Sequence, residues 1–258
     1  MKKLNNFSIY LQLLEVFTIR EIKSRYKASI LGPLWIIIYP LMTTFFLSFV
    51  FEKIVKIRTG GISYYIFLLS GFLFWDFFSQ GVLLAKESLI WNRDLVTKTT
   101  FSKETIPLSF IISKILDFII NLLILFAILV ISGHEIKLQY LMIVMLIIPT
   151  AIFTAGIGLL FSITNAIFRD FGKIIDFFLL IFFYITPIIY SESFVPNKYK
   201  IILLFNPLSS VVITCRDMLF RNKFNINVMF QATIISLLIF FVGFYVFKKF
   251  EKKIVDFL

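Results

Sequence analysis

From the N-terminus onward, short charged segments alternate with uncharged apolar runs close to the twenty residues that a helix needs to cross about 30 Å of hydrocarbon. Residues 33–51 form the first such run, and 60–85 the second, interrupted only by Asp76. The third, 105–131, carries Lys114 and Asp117 near its start, and the fourth, 138–168, is uncharged with Pro149 as an expected kink. The fifth, 174–191, is short, and 224–247 is the last. The pattern predicts an all-α integral membrane protein, a single transmembrane domain over 1–258 with six transmembrane helices.

One more apolar run, 201–215, spans 15 residues and reaches only about 22 Å as a helix. Asn206-Pro207 breaks it, because the residue before proline avoids the α region. The expectation is a pair of short helices or a re-entrant hairpin rather than a seventh span. Charge supports this. With six spans and a cytoplasmic N-terminus, 16 Lys and Arg lie inside and nine outside. A seventh span would carry Lys248, Lys249, Lys252 and Lys253 outside, against the positive-inside rule. Both termini are therefore expected in the cytoplasm.

Composition narrows the function. The chain is 59% hydrophobic and only 16% charged, whereas soluble domains carry roughly 25% charged residues. Its formal net charge of +11 points in a membrane protein to topology and anionic lipid, with no nucleic-acid partner expected. Charges interrupt the N-terminal stretch where a signal peptide would need an apolar core, so the N-terminus is expected to be retained. The only cysteine, Cys215, and the only histidine, His134, leave no basis for a disulfide or a multi-histidine metal site. There is no Gly-x-x-x-x-Gly-Lys-Ser/Thr phosphate cradle, so no ATP site is expected in this chain. No catalytic constellation is found either.

Before the first span, Tyr10, Leu13, Leu14 and Phe17 share one helix face, followed by Arg20, Lys23, Arg25 and Lys27. That pattern suits an amphipathic helix on the inner surface of the membrane, either orienting the first span or also presenting charge to a partner. Within the spans, Asp76, Lys114 and Asp117 fall at similar depth, and each isolated charge costs roughly 2.5–3.5 kcal/mol at a helix centre. They are readable as an ion pair that fixes packing or as part of a polar conduit. Aromatic clusters such as Phe72–Phe78 and Phe182–Tyr184 are readable as lipid-facing filler or, for a subset, as sugar-stacking surfaces.

The order of segments resembles the permease subunits of type-2 ABC exporters, in particular the polysaccharide branch that exports O-antigen, capsule and teichoic acid. The resemblance rests on Arg20-Glu21-Ile22-Lys23-Ser24-Arg25-Tyr26 with Ser29-Ile30-Leu31-Gly32 and Trp35, on Phe168-Arg169-Asp170 with Thr186-Pro187-Ile188-Ile189-Tyr190, and on Asn206-Pro207. It implies a homodimer in the cytoplasmic (inner) membrane, bound to two copies of a P-loop ATPase that carry the ATP and Mg. It implies an interface helix within 1–32, with Arg20, Glu21, Lys23 and Arg25 at the ATPase, and a coupling helix at Arg169 and Asp170. A cytoplasmic gate in 86–104 would use Leu89, Trp91 and Arg93, and an outer gate in 192–223 would turn at Asn206 and Pro207. A channel lined by Tyr39, Phe74, Trp75, Phe78 and Tyr184 would pass a lipid-linked polysaccharide. Two other readings stand beside it: an ion- or proton-coupled secondary transporter using Asp76, Lys114 and Asp117, and a membrane-embedded transferase acting on lipid-linked sugars.

Overall fold

A computed structural model describes residues 2–27, 31–57, 62–135 and 137–257. Ser29 and Ile30 of the first motif, Arg58 of the outside charges and Gly60 at the expected start of the second span lie outside the described residues. Among the described residues every regular element is helical. Helix α1 covers Lys2–Tyr26, α2 Trp35–Ser48, α3 Tyr64–Trp91, α4 Arg93–Lys98 and α5 Thr105–Ile131. There follow α6 Ile147–Ile167, α7 Phe171–Ile185, α8 Lys200–Phe205, α9 Pro207–Arg216, α10 Ile226–Phe250 and α11 Ile254–Phe257.

Five continuous stretches are long and apolar enough to cross a membrane: Gly32–Ile54, Tyr64–Trp91, Thr105–Ile131, Tyr140–Ile167 and Ile226–Phe250. A sixth candidate, Asn197–Phe205 with Pro207–Arg221, bends by 104° at its break. This is a multi-pass membrane protein with five to six candidate spans. The segment expected to be the fifth span differs from the expectation. It forms only the 15-residue α7, about 22 Å of helix, because Pro187 withholds a backbone donor and Thr186 before it adopts an extended conformation. Pro149 lies where the fourth span changes from 3-10 to α-helix. It sits in the first turn of α6, after a 3-10 stretch over Leu138–Leu146, where a missing N–H breaks no helical bond. The second span also continues to Trp91, so the segment between α3 and α5 begins later than residue 86 and holds only the six-residue α4.

Helix α3 is the axis of the fold. Of its most apolar stretch 89% is buried, against 22% for those of α2 and α10. Aromatic rings make most of its contacts: Phe78 stacks on Phe153 of α6 at 4.9 Å, Phe74 and Phe77 meet Phe118 of α5, and Trp75 meets Phe183 of α7 at 5.1 Å. Such offset and edge contacts add about 0.5–1.5 kcal/mol per pair beyond burial. Helix α10 packs on α6 through glycine. A Cβ at Gly156 would come within 2.7 Å of the Phe240 backbone, and Gly243 rests on the Gly156 carbonyl. Small residues at such crossings let two helices approach in lipid, where no hydrophobic force drives them together.

Between α7 and α8 the chain is irregular yet buried from Thr186 to Ile189. Each exposed carbonyl there finds a donor. The guanidinium of Arg216, on α9, donates to the carbonyls of Pro187, Ile188 (2.6 Å), Tyr190 (3.3 Å) and Phe67 (3.2 Å), and lies 3.6 Å from the centre of the Phe67 ring. The Tyr64 hydroxyl donates to Ile189 O at 2.6 Å. Tyr190 returns its own hydroxyl to the last carbonyls of α7, at Tyr184 and Ile185. Asn206 closes the set: its side-chain oxygen caps the first turn of α9 and its amide donates to Thr186 Oγ1 at 2.9 Å.

Two substitutions test this packing. Gly156→Val meets backbone rather than a yielding side chain, so it should prevent recovery of a monodisperse peak in size-exclusion chromatography. Gly158→Ala, which first meets the tip of Ile111, should be tolerated. Arg216→Met strands several carbonyls, a loss of about 3 kcal/mol, and should lower the midpoint of thermal unfolding in detergent by roughly 10 °C. Arg216→Lys should recover less than half of that, because an ammonium cannot fork across the turn.

Candidate functional site

Asp76, Lys114 and Asp117 line one cavity of about 340 Å³, together with Arg25, Trp35, Tyr39, Gln80 and Asn121. Spacing explains part of this, because residues three apart on a helix share a face. Lys114 accordingly bonds Asp117 at 2.6 Å. The second partner comes from outside the spans. Arg25 at the end of α1 donates to Asp117 at 2.9 Å and to the Ser113 hydroxyl, and stands 3.6 Å from Glu21. Among the described residues the cluster thus joins two cations and two carboxylates, and it fastens α1 to α5. Asp76 faces the same cavity and feels the Lys114 and Asp117 charges, but among the described residues no side chain donates a hydrogen bond to its carboxylate. The cavity therefore offers a free acceptor beside the half-exposed rings of Trp35 and Tyr39, a combination suited to a ligand that brings hydroxyl or cationic donors and an apolar face.

Of the charges expected to face an ATPase, Arg20 and Lys23 are exposed, whereas Glu21 and Arg25 turn inward onto α5. The helix face explains this: Phe17, Glu21 and Arg25 recur every four residues and meet α5 together, with Phe17 buried. Arg169 and Asp170 are both exposed, in the turn between α6 and α7. Trp91 and Arg93 lie exposed at the α3–α4 junction, but Leu89 is fully buried in a second core with Phe17, Ile106 and Phe247. A side chain at 0% exposure lines no gate in this conformation.

The aromatic residues divide in the same way. Phe74 and Phe78 are fully buried and Trp75 nearly so, filling the space between α3 and its neighbours rather than an open surface. Tyr39 on α2 and Tyr184 on α7 remain 47% and 60% exposed. Each borders an apolar face left exposed among the described residues: Trp35, Met42, Phe45 and Phe46 on α2, continued by Phe49 just beyond it, and Ile174, Phe177, Leu180 and Ile181 on α7.

The bend at Asn206-Pro207 brings α9 into the core while α8 stays largely at the surface. Arg221 beyond α9 pairs with Glu192 at 2.6 Å and with Asp217 at 2.8 Å. Arg216, counted in the sequence with the outside charges, is 4% exposed and belongs to the core. Its signal was present in the sequence: a single arginine after the apolar run 211–215 must find partners inside the protein. Lys86 is a second such residue, 5% exposed and bonded to Asp176 of α7 at 2.6 Å. Among the described residues no group of three or more His, Cys, Asp or Glu side chains is placed to hold a metal ion.

A family profile described as "ABC-2 type transporter" matches residues 12–220. The chain is also similar to curated proteins over most of its length. An "O-antigen export system permease protein RfbA" of Klebsiella pneumoniae is 29% identical over 259 residues, covering 100% of this chain and 99% of the relative. A protein of the same description from Myxococcus xanthus is 25% identical over 206 residues, 79% of this chain and 78% of its own. The "Polysialic acid transport protein KpsM" of Escherichia coli is 25% identical over 220 residues, 83% of each chain. The matched residues include α1 from residue 12, the charged cavity, the turn at Arg169-Asp170 and the bend at Asn206-Pro207, and on that extent the chain belongs to the ABC-2 type transporter family.

Proposed function

We propose that this chain is the membrane-spanning permease subunit of an ATP-driven exporter that moves a lipid-linked polysaccharide, with O-antigen the first candidate, across the cytoplasmic membrane. The observation that carries the proposal is the end-to-end alignment with permeases described as O-antigen exporters. In such a system the chemistry belongs to a separate P-loop ATPase, which binds ATP and Mg, while the permease supplies the path.

On this reading the chain crosses six times with both termini in the cytoplasm. Helix α7 and the carbonyl-rich turn 186–190 together make the fifth crossing, and the bent pair dips in from the outside as the outer gate. The 104° bend and the burial of α9 support a re-entrant course. The exposed part of α1, through Arg20 and Lys23, and the turn at Arg169-Asp170 would meet the ATPase, and α4 would serve as the cytoplasmic gate helix. Two copies would join through the unpartnered apolar faces of α2 and α7, placing Tyr39 and Tyr184 along the shared path. Weak, repeated contacts with aromatic rings suit a sliding polymer better than a deep pocket would.

The proposal is tested by co-expressing the chain with the ATPase from the neighbouring reading frame and reconstituting the complex in liposomes. A complex of two copies of each subunit and ATP-dependent translocation of a lipid-linked glycan are expected. The double reversal Arg169→Glu and Asp170→Arg should lower translocation at least tenfold while leaving insertion unchanged, since both side chains are exposed. Uptake that needs a proton gradient and no ATPase would replace this proposal with the secondary-transporter one.

A further inference from the structure

Both flanks of the turn that carries Arg169 and Asp170 are fastened to one residue of α3. The Lys86 ammonium donates to Asp176, near the start of α7, at 2.6 Å and to the Gly172 carbonyl at 3.4 Å, with Glu87 also 3.4 Å away. The Lys86 backbone carbonyl accepts from the side-chain amide of Asn165, in the last turn of α6, at 3.1 Å. The turn is closed tightly between them, because a Cβ at Gly172 would lie 2.8 Å from Asn165 Oδ1. Less than two helical turns beyond Lys86, Asn92 at the α3–α4 junction donates to the Ser88 carbonyl and accepts from Arg20 of α1. The last two turns of α3 thus receive bonds from both segments that the proposed function sets against the ATPase.

Simple packing does not account for the chemistry chosen. A buried ion pair is often no more stabilising than apolar residues of the same volume, and Lys86 is deeply buried while the Asp176 side chain remains 55% exposed. The bond is anchored in the core on one side and open to the surface on the other. If Asp176 moves away, Glu87 on α3 itself still stands 3.4 Å from the ammonium, so the buried charge keeps a partner in a second arrangement.

We propose that Lys86 is a positioning residue for transport: its bonds to Asp176 and Asn165 carry displacement of the 168–172 turn into the α3–α4 corner, linking the ATPase stroke to opening of the path. The inference rests on the proposed function, since it needs the turn to be the seat of the ATPase.

The test uses the full complex in liposomes, with ATP hydrolysis and glycan translocation measured on the same preparation. Asp176→Asn keeps the shape of an exposed side chain. It should assemble and hydrolyse ATP within about twofold of the parent yet translocate roughly tenfold less, a coupling loss of about 1.4 kcal/mol. Lys86→Met should behave alike, and the double variant should be no worse than either single one, because both remove the same bond. Translocation at the parental rate by Asp176→Asn, a parallel fall of hydrolysis and translocation, or multiplicative losses in the double variant would each overturn the inference. If Lys86→Met does not accumulate, Asp176→Asn and Asp176→Ala decide by the same split between hydrolysis and translocation. A parental complex that translocates without ATP removes the proposed function itself, a result independent of any variant.

Discussion

Backbone that leaves the helix inside an apolar medium must find its hydrogen bonds within the protein, and this constraint organises the half of the molecule where α7, α8 and α9 meet. The stretch from Thr186 to Tyr190 escapes α7 because Pro187 cannot continue it, and that escape frees carbonyls far from water. Arg216 answers most of them, Tyr64 another, and Tyr190 secures the helix end just vacated. Once the arginine must reach this turn, α9 is drawn against α3, and the chain has to bend at Asn206-Pro207 to deliver it. The bent pair, the short α7 and the buried guanidinium are three aspects of one requirement.

The other half is organised by ion pairs that join helix ends. Arg25 ties α1 to α5 through Asp117, Lys86 ties α3 to α7 through Asp176, and Lys248 ties the end of α10 to Glu104 at the start of α5. Aromatic packing around α3 lies between the two halves and changes little in character along its length. The molecule thus has a dense, apolar middle with polar fastenings at its ends, and its freedom to move is concentrated where those fastenings are ionic.

Much of this was legible in the sequence. Hydrophobic run lengths located α2, α3, α5, α6 and α10, and the proline after Asn206 located the bend, since local backbone chemistry decides both. Length alone misjudged where the fifth helix ends, because uncharged residues beyond Ile185 continue the apolar signal after the helix has stopped. The charged residues were harder to place. Lys114 and Asp117 could be paired by helical spacing, but Arg25 reaches Asp117 from 92 positions away, and only the three-dimensional approach of α1 to α5 brings it there. Likewise the sequence offers Phe74 and Phe78 on the same terms as Tyr39 and Tyr184, and what separates them is the packing of their helices: α3 is enclosed by its neighbours, whereas α2 and α7 each keep an open face. Arg216 left a signal that a count of loop charges absorbed, because charge counting treats every arginine outside a span as solvated.

The cage around Arg216 has an electrical consequence. Among the described residues no carboxylate lies within ion-pair distance of the guanidinium, so its charge is solvated by peptide dipoles and stays unneutralised. A unit charge crossing the whole membrane potential exchanges about 2.3 kcal/mol per 100 mV. Any tilt of α9 along the membrane normal moves that charge through a fraction of the field. A membrane potential therefore acts directly on the bent pair, through a side chain that peptide dipoles solvate and no neighbouring carboxylate neutralises.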